Sequence, residues 1–107
     1  MELHYPLKNL LGKPPSEGNL AASILAAGDL EVEFYELKGS DRQTPHERDE
    51  IYIIARGNGT FVSGAEDEIA FSPGDLLFVP ARVEHRFITF SGDFATWVFF
   101  FGTERER

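Results

Sequence analysis

The apolar residues of this chain fall into short blocks at 20–27, 30–37, 50–56, 60–63, 68–72, 76–80, 85–90 and 94–101. Turn formers separate them: Gly28-Asp29, Gly57-Asn58-Gly59, Pro73-Gly74-Asp75 and Ser91-Gly92-Asp93. Blocks rich in Phe, Tyr, Val and Ile suit a pleated, half-buried surface, and a turn signal about every ten residues predicts an all-β sandwich or barrel. No segment sustains a helical apolar period. The Ala-rich block 20–27 comes nearest, and is read as a strand pairing with the next block across Gly28-Asp29. Leu30-Glu31-Val32-Glu33-Phe34 alternates with period two, the pattern of a strand with one wet face. Block 94–101 is greasy on both sides, with Phe94, Thr96, Val98 and Phe100 on one and Trp97, Phe99 and Phe101 on the other. Such a strand needs cover on both faces, from the barrel interior and from a second layer or second subunit, so a homodimer is expected.

Residues 1–19 form a separate piece. Lys13-Pro14-Pro15-Ser16-Glu17-Gly18-Asn19 has the composition of a linker, and the Leu- and Tyr-bearing stretch before it reads as an arm that packs on the barrel, 20–107. His4 sits in that arm, far from the other histidines. Glu104-Arg105-Glu106-Arg107 reads as a solvated tail.

The chain has 107 residues, enough for one domain with one modest core. Its 18 acidic residues outnumber 10 Lys and Arg, giving a net charge of −8. That balance argues against nucleic-acid and anionic-membrane partners, which require clustered cations. The apolar runs are too short to span a bilayer, and the N-terminus lacks the pattern of a signal peptide, so a cytoplasmic protein is expected. Cysteine is absent, which excludes disulfides, thiolate metal sites and Cys nucleophiles.

The chemistry gathers at two places. Glu50 opens the strand-like run Ile51-Tyr52-Ile53-Ile54, with His46 four residues before it. Glu50, Tyr52 and Ile54 share one face, and the character of Tyr52 and Ile54 turns that face inward. A carboxylate aimed into an apolar barrel is expensive unless paired, hydrogen-bonded or bound to a metal. His85 opens a second strand, with Phe87 and Thr89 placed on its face. Two neutral imidazoles and a carboxylate form a 2-His-1-carboxylate face, which suits a divalent transition metal (Fe, Mn, Ni or Zn) and leaves coordination positions open. The competing reading is a metal-free pocket in which Glu50 hydrogen-bonds a histidine or pairs with Arg48. Tyr52 is the candidate to donate a proton or orient a ligand. Tyr52, Phe87 and Trp97 are candidate pocket walls, and Arg82 a candidate carboxylate clamp or a surface turn residue. The charged run Asp41-Arg42, Glu47-Arg48-Asp49 reads as a solvated edge.

These residues resemble the two motifs of the small single-domain cupins, the RmlC-like conserved-barrel family. His46, Glu50 and Gly57 match the first motif, and Gly74, Pro80 and His85 the second. Thr44 stands where the first motif has its first His, with Gln43 a weaker candidate ligand beside it. Arg82 and Thr89 stand in place of a Gly and an Asn of the second motif. The resemblance covers about residues 30–101. It implies a cupin-type double-stranded β-helix, a jelly-roll barrel that is commonly dimeric, around a metal held here by His46, Glu50 and His85. The functions it brings are dioxygenase, isomerase or decarboxylase chemistry on a small organic metabolite, with Glu50 and Tyr52 as the groups that act. The alternative is a non-catalytic small-molecule or metal-binding sensor module.

Overall fold

The alternating blocks become eight strands: β1 (Ala22–Ala27), β2 (Leu30–Glu36), β3 (Asp49–Arg56), β4 (Gly59–Ser63), β5 (Ile69–Phe71), β6 (Leu76–Val79), β7 (His85–Phe90) and β8 (Ala95–Phe101). A single helical turn, α1 (Leu7–Leu10), precedes them. The computed structural model describes residues 2–17, 19–41 and 43–102, so the tail at 104–107 and Arg42 lie outside the described residues. Among those residues no helix is long and apolar enough to cross a membrane.

The strands form two antiparallel sheets, ordered β1-β2-β8-β3-β6 and β5-β4-β7. As the turn signal indicated, β1 and β2 form a hairpin, with Ala27 opposite Leu30. Gly57-Asn58-Gly59 is a different kind of turn. It carries the chain from β3 in one sheet to β4 in the other, as Ser91-Gly92-Asp93 does between β7 and β8. These two corners are bonded to each other: Ser91 N–H donates to Asn58 O (2.9 Å) and Asn58 N–H to Ser91 Oγ (3.1 Å).

The core lies between the sheets. Phe87 is its hub, with ring centroids 4.8 Å from Phe61, 4.8 Å from Phe94 and 4.9 Å from Tyr52. Glu50, Tyr52 and Ile54 all face inward, at 0%, 0% and 2% exposure. On β8 the inward set is Thr96, Val98 and Phe100; the outward set is Trp97, Phe99 and Phe101. Trp97 therefore does not line the cavity inside the barrel. It stacks edge-to-face on Phe34 at 5.4 Å, in an outer cluster capped by Leu10 of the arm.

Two further placements depart from the pattern. β2 keeps its wet face on the inside, because Val32 and Phe34 turn outward to the outer cluster and cleft while Glu33 and Tyr35 face the barrel. In β7 a register shift opposite Thr60 and Phe61 interrupts the alternation, so Thr89 faces solvent, where its hydroxyl meets that of Thr60 at 2.9 Å. Among the described residues of the charged run, Asp41 and Asp49 are buried, each 9% exposed, while Glu47 stays largely in solvent.

A side chain at Gly59 has no room, since its Cβ would overlap the Thr89 carbonyl carbon and oxygen. Gly59→Ala is expected to destabilise the fold by about 1–3 kcal/mol, the range for overpacking a close approach, read as a lower urea midpoint at unchanged slope.

Candidate metal centre

Strand pairing fixes where each chemical group lands. Glu50, second residue of β3, lies between Val79 of β6 and Phe100 of β8. His85 opens β7 in the opposite sheet, and His46 lies on the loop that enters β3. Two hydrogen bonds from backbone N–H groups hold the halves together. Asp49 Oδ1 accepts from Ala81 N–H at 2.9 Å, and His46 O accepts from Arg82 N–H at 2.5 Å. Arg82 makes the second link from a left-handed backbone, φ 64°, the conformation a glycine adopts most easily. Its guanidinium lies 3.8 Å from Glu47 and it is not part of the cavity wall beside His46.

His46, Glu50 and His85 converge, with one ligand atom from each inside 4.8 Å of the others. Glu50 Oε1 lies 3.1 Å from His85 Nε2 and 3.6 Å from His46 Nε2. Donors about 2.1 Å from one ion and 90–110° apart lie about 3.0–3.4 Å from each other. Neither contact has hydrogen-bond geometry: both Glu50 oxygens and both Nε2 atoms are buried without a hydrogen-bond partner. One such atom from each of the three residues lies close enough to the others to share a single ion. The tautomer agrees, because His85 Nδ1 lies 3.0 Å from Val83 O; with the proton there, Nε2 is left as an acceptor. Arg48 does not neutralise Glu50. It pairs instead with Glu31 at 2.7 Å and ties down the end of β8 through Gly102 O at 3.0 Å.

The two imidazoles are tuned in opposite directions. Burial, with His85 adding to it, lowers His46 against the pull of Glu50. Burial also lowers His85, but there the Glu50 carboxylate, with Val83 O, outweighs it and the net shift is upward. Without a metal, Glu50 therefore favours a proton on His85.

Behind the triad lies a polar chain that the sequence concealed. Asp41 accepts from Phe87 N–H (2.8 Å), Gln43 N–H (3.0 Å), Gln43 Nε2 (3.1 Å) and Tyr35 OH (3.3 Å). Gln43 Oε1 in turn accepts from Tyr52 OH at 2.8 Å. Tyr52 is fully buried, and burial, then Glu50, pushes its phenol well above the usual range. Both ends of the Gln43 amide are thus engaged, which leaves it poorly placed as a ligand.

A cavity of about 360 Å³ opens beside the triad. His46 reaches its wall, with Glu33, Tyr35, Gln43 and Thr44 on the polar side and Val98 and Phe100 on the apolar side. The His85 and Glu50 side chains are at most 1% exposed and His46 31%, so His46 is the edge through which the triad meets the cavity. Glu33 was missed from sequence, since an alternating Glu on a strand reads as solvated. Burial, then Glu31 and Glu50, raises its carboxyl to about 7.

Comparisons agree with this architecture. A 79-residue stretch is 32% identical to an uncharacterized protein of Streptomyces coelicolor, covering 72% of this chain and 74% of that one. A 55-residue stretch is 36% identical to an acireductone dioxygenase of Bacillus velezensis, covering 48% of this chain but only 31% of the dioxygenase. The solved structure of a cupin superfamily protein from Desulfitobacterium hafniense superposes with a TM-score of 0.66 at 18% identity, over 94% of this chain and 92% of that one. The model of the cupin domain matches residues 24–101, the stretch that builds both sheets and carries all three triad residues, and the chain belongs to the cupin family.

Proposed function

We propose that this cupin binds a divalent transition metal through His46, Glu50 and His85 and uses it to act on a small organic ligand held in the adjacent cavity. The observation that carries this reading is the set of four buried lone-pair atoms without hydrogen-bond partners. A bound metal would supply Lewis acidity and exchangeable coordination positions. The chain's own residues do the rest. Phe100 packs edge-on against His46 at 4.9 Å and fixes its ring, while Val83 O fixes that of His85. Tyr52 orients the ligand indirectly, by holding the Gln43 amide at the cavity wall. Among dioxygenase, isomerase and decarboxylase chemistry, the stretch similar to acireductone dioxygenase supports the first. A second reading, a non-catalytic sensor, is favoured by Thr44, which leaves the first motif one imidazole short.

We further infer a cytoplasmic homodimer. Tyr5, Leu25, Val32, Ile53, Trp97 and Phe99 line an almost wholly apolar cleft on the outer face of the larger sheet, and Leu76 and Phe78 stand 57% and 50% exposed on its edge strand. A second copy of the same surface is the simplest cover. Light scattering at micromolar concentration should give a mass of two chains, and Phe78→Glu should shift it toward one.

Elemental analysis of protein incubated with Mn²⁺, Ni²⁺ or Zn²⁺ should find about one ion per chain. His85→Ala and His46→Ala should lose it together with turnover; turnover that survives with no metal present would reject the reading.

The pH dependence has a definite sign. A His85 pKa above its unfolded value stabilises the metal-free fold below the unfolded value, and that contribution fades as pH rises through the folded one. Metal needs the neutral ring, so its affinity changes in the opposite sense. The gap in Tm between metal-loaded and metal-free protein should therefore widen from pH 6 to pH 8, measured by scanning calorimetry at fixed free metal.

A further inference from the structure

The cavity beside His46 holds a carboxylate that the metal reading does not use. Glu33 faces inward from β2, opposite Ser23 of β1 and Val98 of β8. Val98 in turn lies opposite Tyr52 of β3, the strand that carries Glu50. Two strand spacings, about 10 Å between backbones, thus separate Glu33 from the triad's strand, with Val98 and Phe100 as the floor between them. That distance admits a ligand of a few heavy atoms, held between the Glu33 carboxyl at one end and the triad at the other. Among the described residues the Glu33 carboxyl has neither a hydrogen-bond donor nor an ion-pair partner.

We propose that Glu33 is the proton-transfer residue of the cavity, and that the ligand is a small uncharged hydroxycarbonyl compound. The proposal rests on the metal reading above. The Glu33 carboxylate takes a proton from the carbon next to the ligand carbonyl, and that C–H bond breaks. Its electron pair moves to form an enolate whose oxygen lies toward His46. The ligand's hydroxyl then passes its proton to the enolate oxygen while protonated Glu33 delivers its own to the former carbonyl carbon, which leaves a carbonyl where the hydroxyl stood; alternatively Glu33 exchanges its proton with solvent and returns it to the first carbon.

The charges around Glu33 suit this task. Glu31 on its own strand and Glu50 on β3 are both acidic, while its neighbours on β1 and β8, Ser23 and Val98, do not titrate. His46 shares the cavity wall from the loop before β3. A carboxyl raised to about 7 is poised to accept and release protons near neutral pH. The same acidic surroundings select the ligand. Among the described residues no Lys or Arg lines the cavity, so an anionic group placed at the Glu33 end would meet repulsion from that carboxyl with no cationic side chain beside it.

The test uses the full chain loaded with Zn²⁺ and dihydroxyacetone in D₂O, with proton NMR following exchange of the carbon-bound hydrogens. Wild type should exchange faster than free Zn²⁺ at the same concentration. Glu33→Gln should slow exchange about 100-fold while keeping its zinc, the scale of a lost general base. Dihydroxyacetone phosphate should exchange at least about tenfold more slowly than the uncharged ketone, through like-charge repulsion. A second readout needs no metal: in carboxyl-labelled protein, one Glu signal should titrate at about 7 and be missing from Glu33→Gln. Exchange that survives Glu33→Gln in zinc-loaded protein, a wild type no faster than free zinc, a faster phosphate ester, or no carboxyl titrating near neutrality would each overturn the proposal. Wild type that takes up no zinc overturns the metal reading and this proposal with it, which separates the two failures.

Discussion

A carboxylate with no exposed surface and no hydrogen bond is the constraint around which this molecule is arranged. Removing an ionised carboxylate from water costs several kcal/mol even after the protein relaxes, and one misaligned contact with His85 recovers only part of that. The barrel could have hidden Glu50 at the wet end of β3 or supplied it with backbone donors. It does supply such donors to Asp41, one strand-face away. The contrast between a satisfied buried acid and an unsatisfied one marks Glu50 as kept for an outside partner. Structural need alone does not explain it.

The scaffold around that acid is built to keep it in register. Hydrogen bonds between Asp49 and Ala81 and between His46 and Arg82 tie together the two segments that bring the triad residues, though they are far apart in the chain. The Asp41–Gln43–Tyr52 chain spans the space between the sheets and ends on the Phe87 backbone, two residues along β7 from His85. A tilt of either sheet would break several of these bonds at once, which is how a small barrel can hold three side chains to within a fraction of an ångström.

The larger sheet serves both of its faces. Its concave side holds the acid, the tyrosines and the cavity, and its convex side is greasy where the arm ends and the edge strand begins. The cavity side and the apolar outer surface therefore share β2, β3 and β8. A partner seated on the convex side would stiffen the strands that carry Glu33 and Glu50 without touching either.

Much of this was legible in the residues. The apolar character of Tyr52 and Ile54 turned their face of the strand inward and carried Glu50 with it. The spacings around His46, Glu50 and His85 marked the three residues that meet. Alternation fails where both faces are buried: the pattern of β8 is equally apolar on each side, and only pairing with β2 and β3 sends Trp97 out and Val98 in. It also misleads on β2, where the acidic side faces a cavity and the apolar side is covered by the arm. The burial of Asp41 depends on a donor from Phe87, far along the chain, and the bulge that turns Thr89 outward depends on the partner strand. Local sequence sets what a strand can bury; which of its faces becomes the inside is decided by the elements that close over it, and those are known only once the chain has folded.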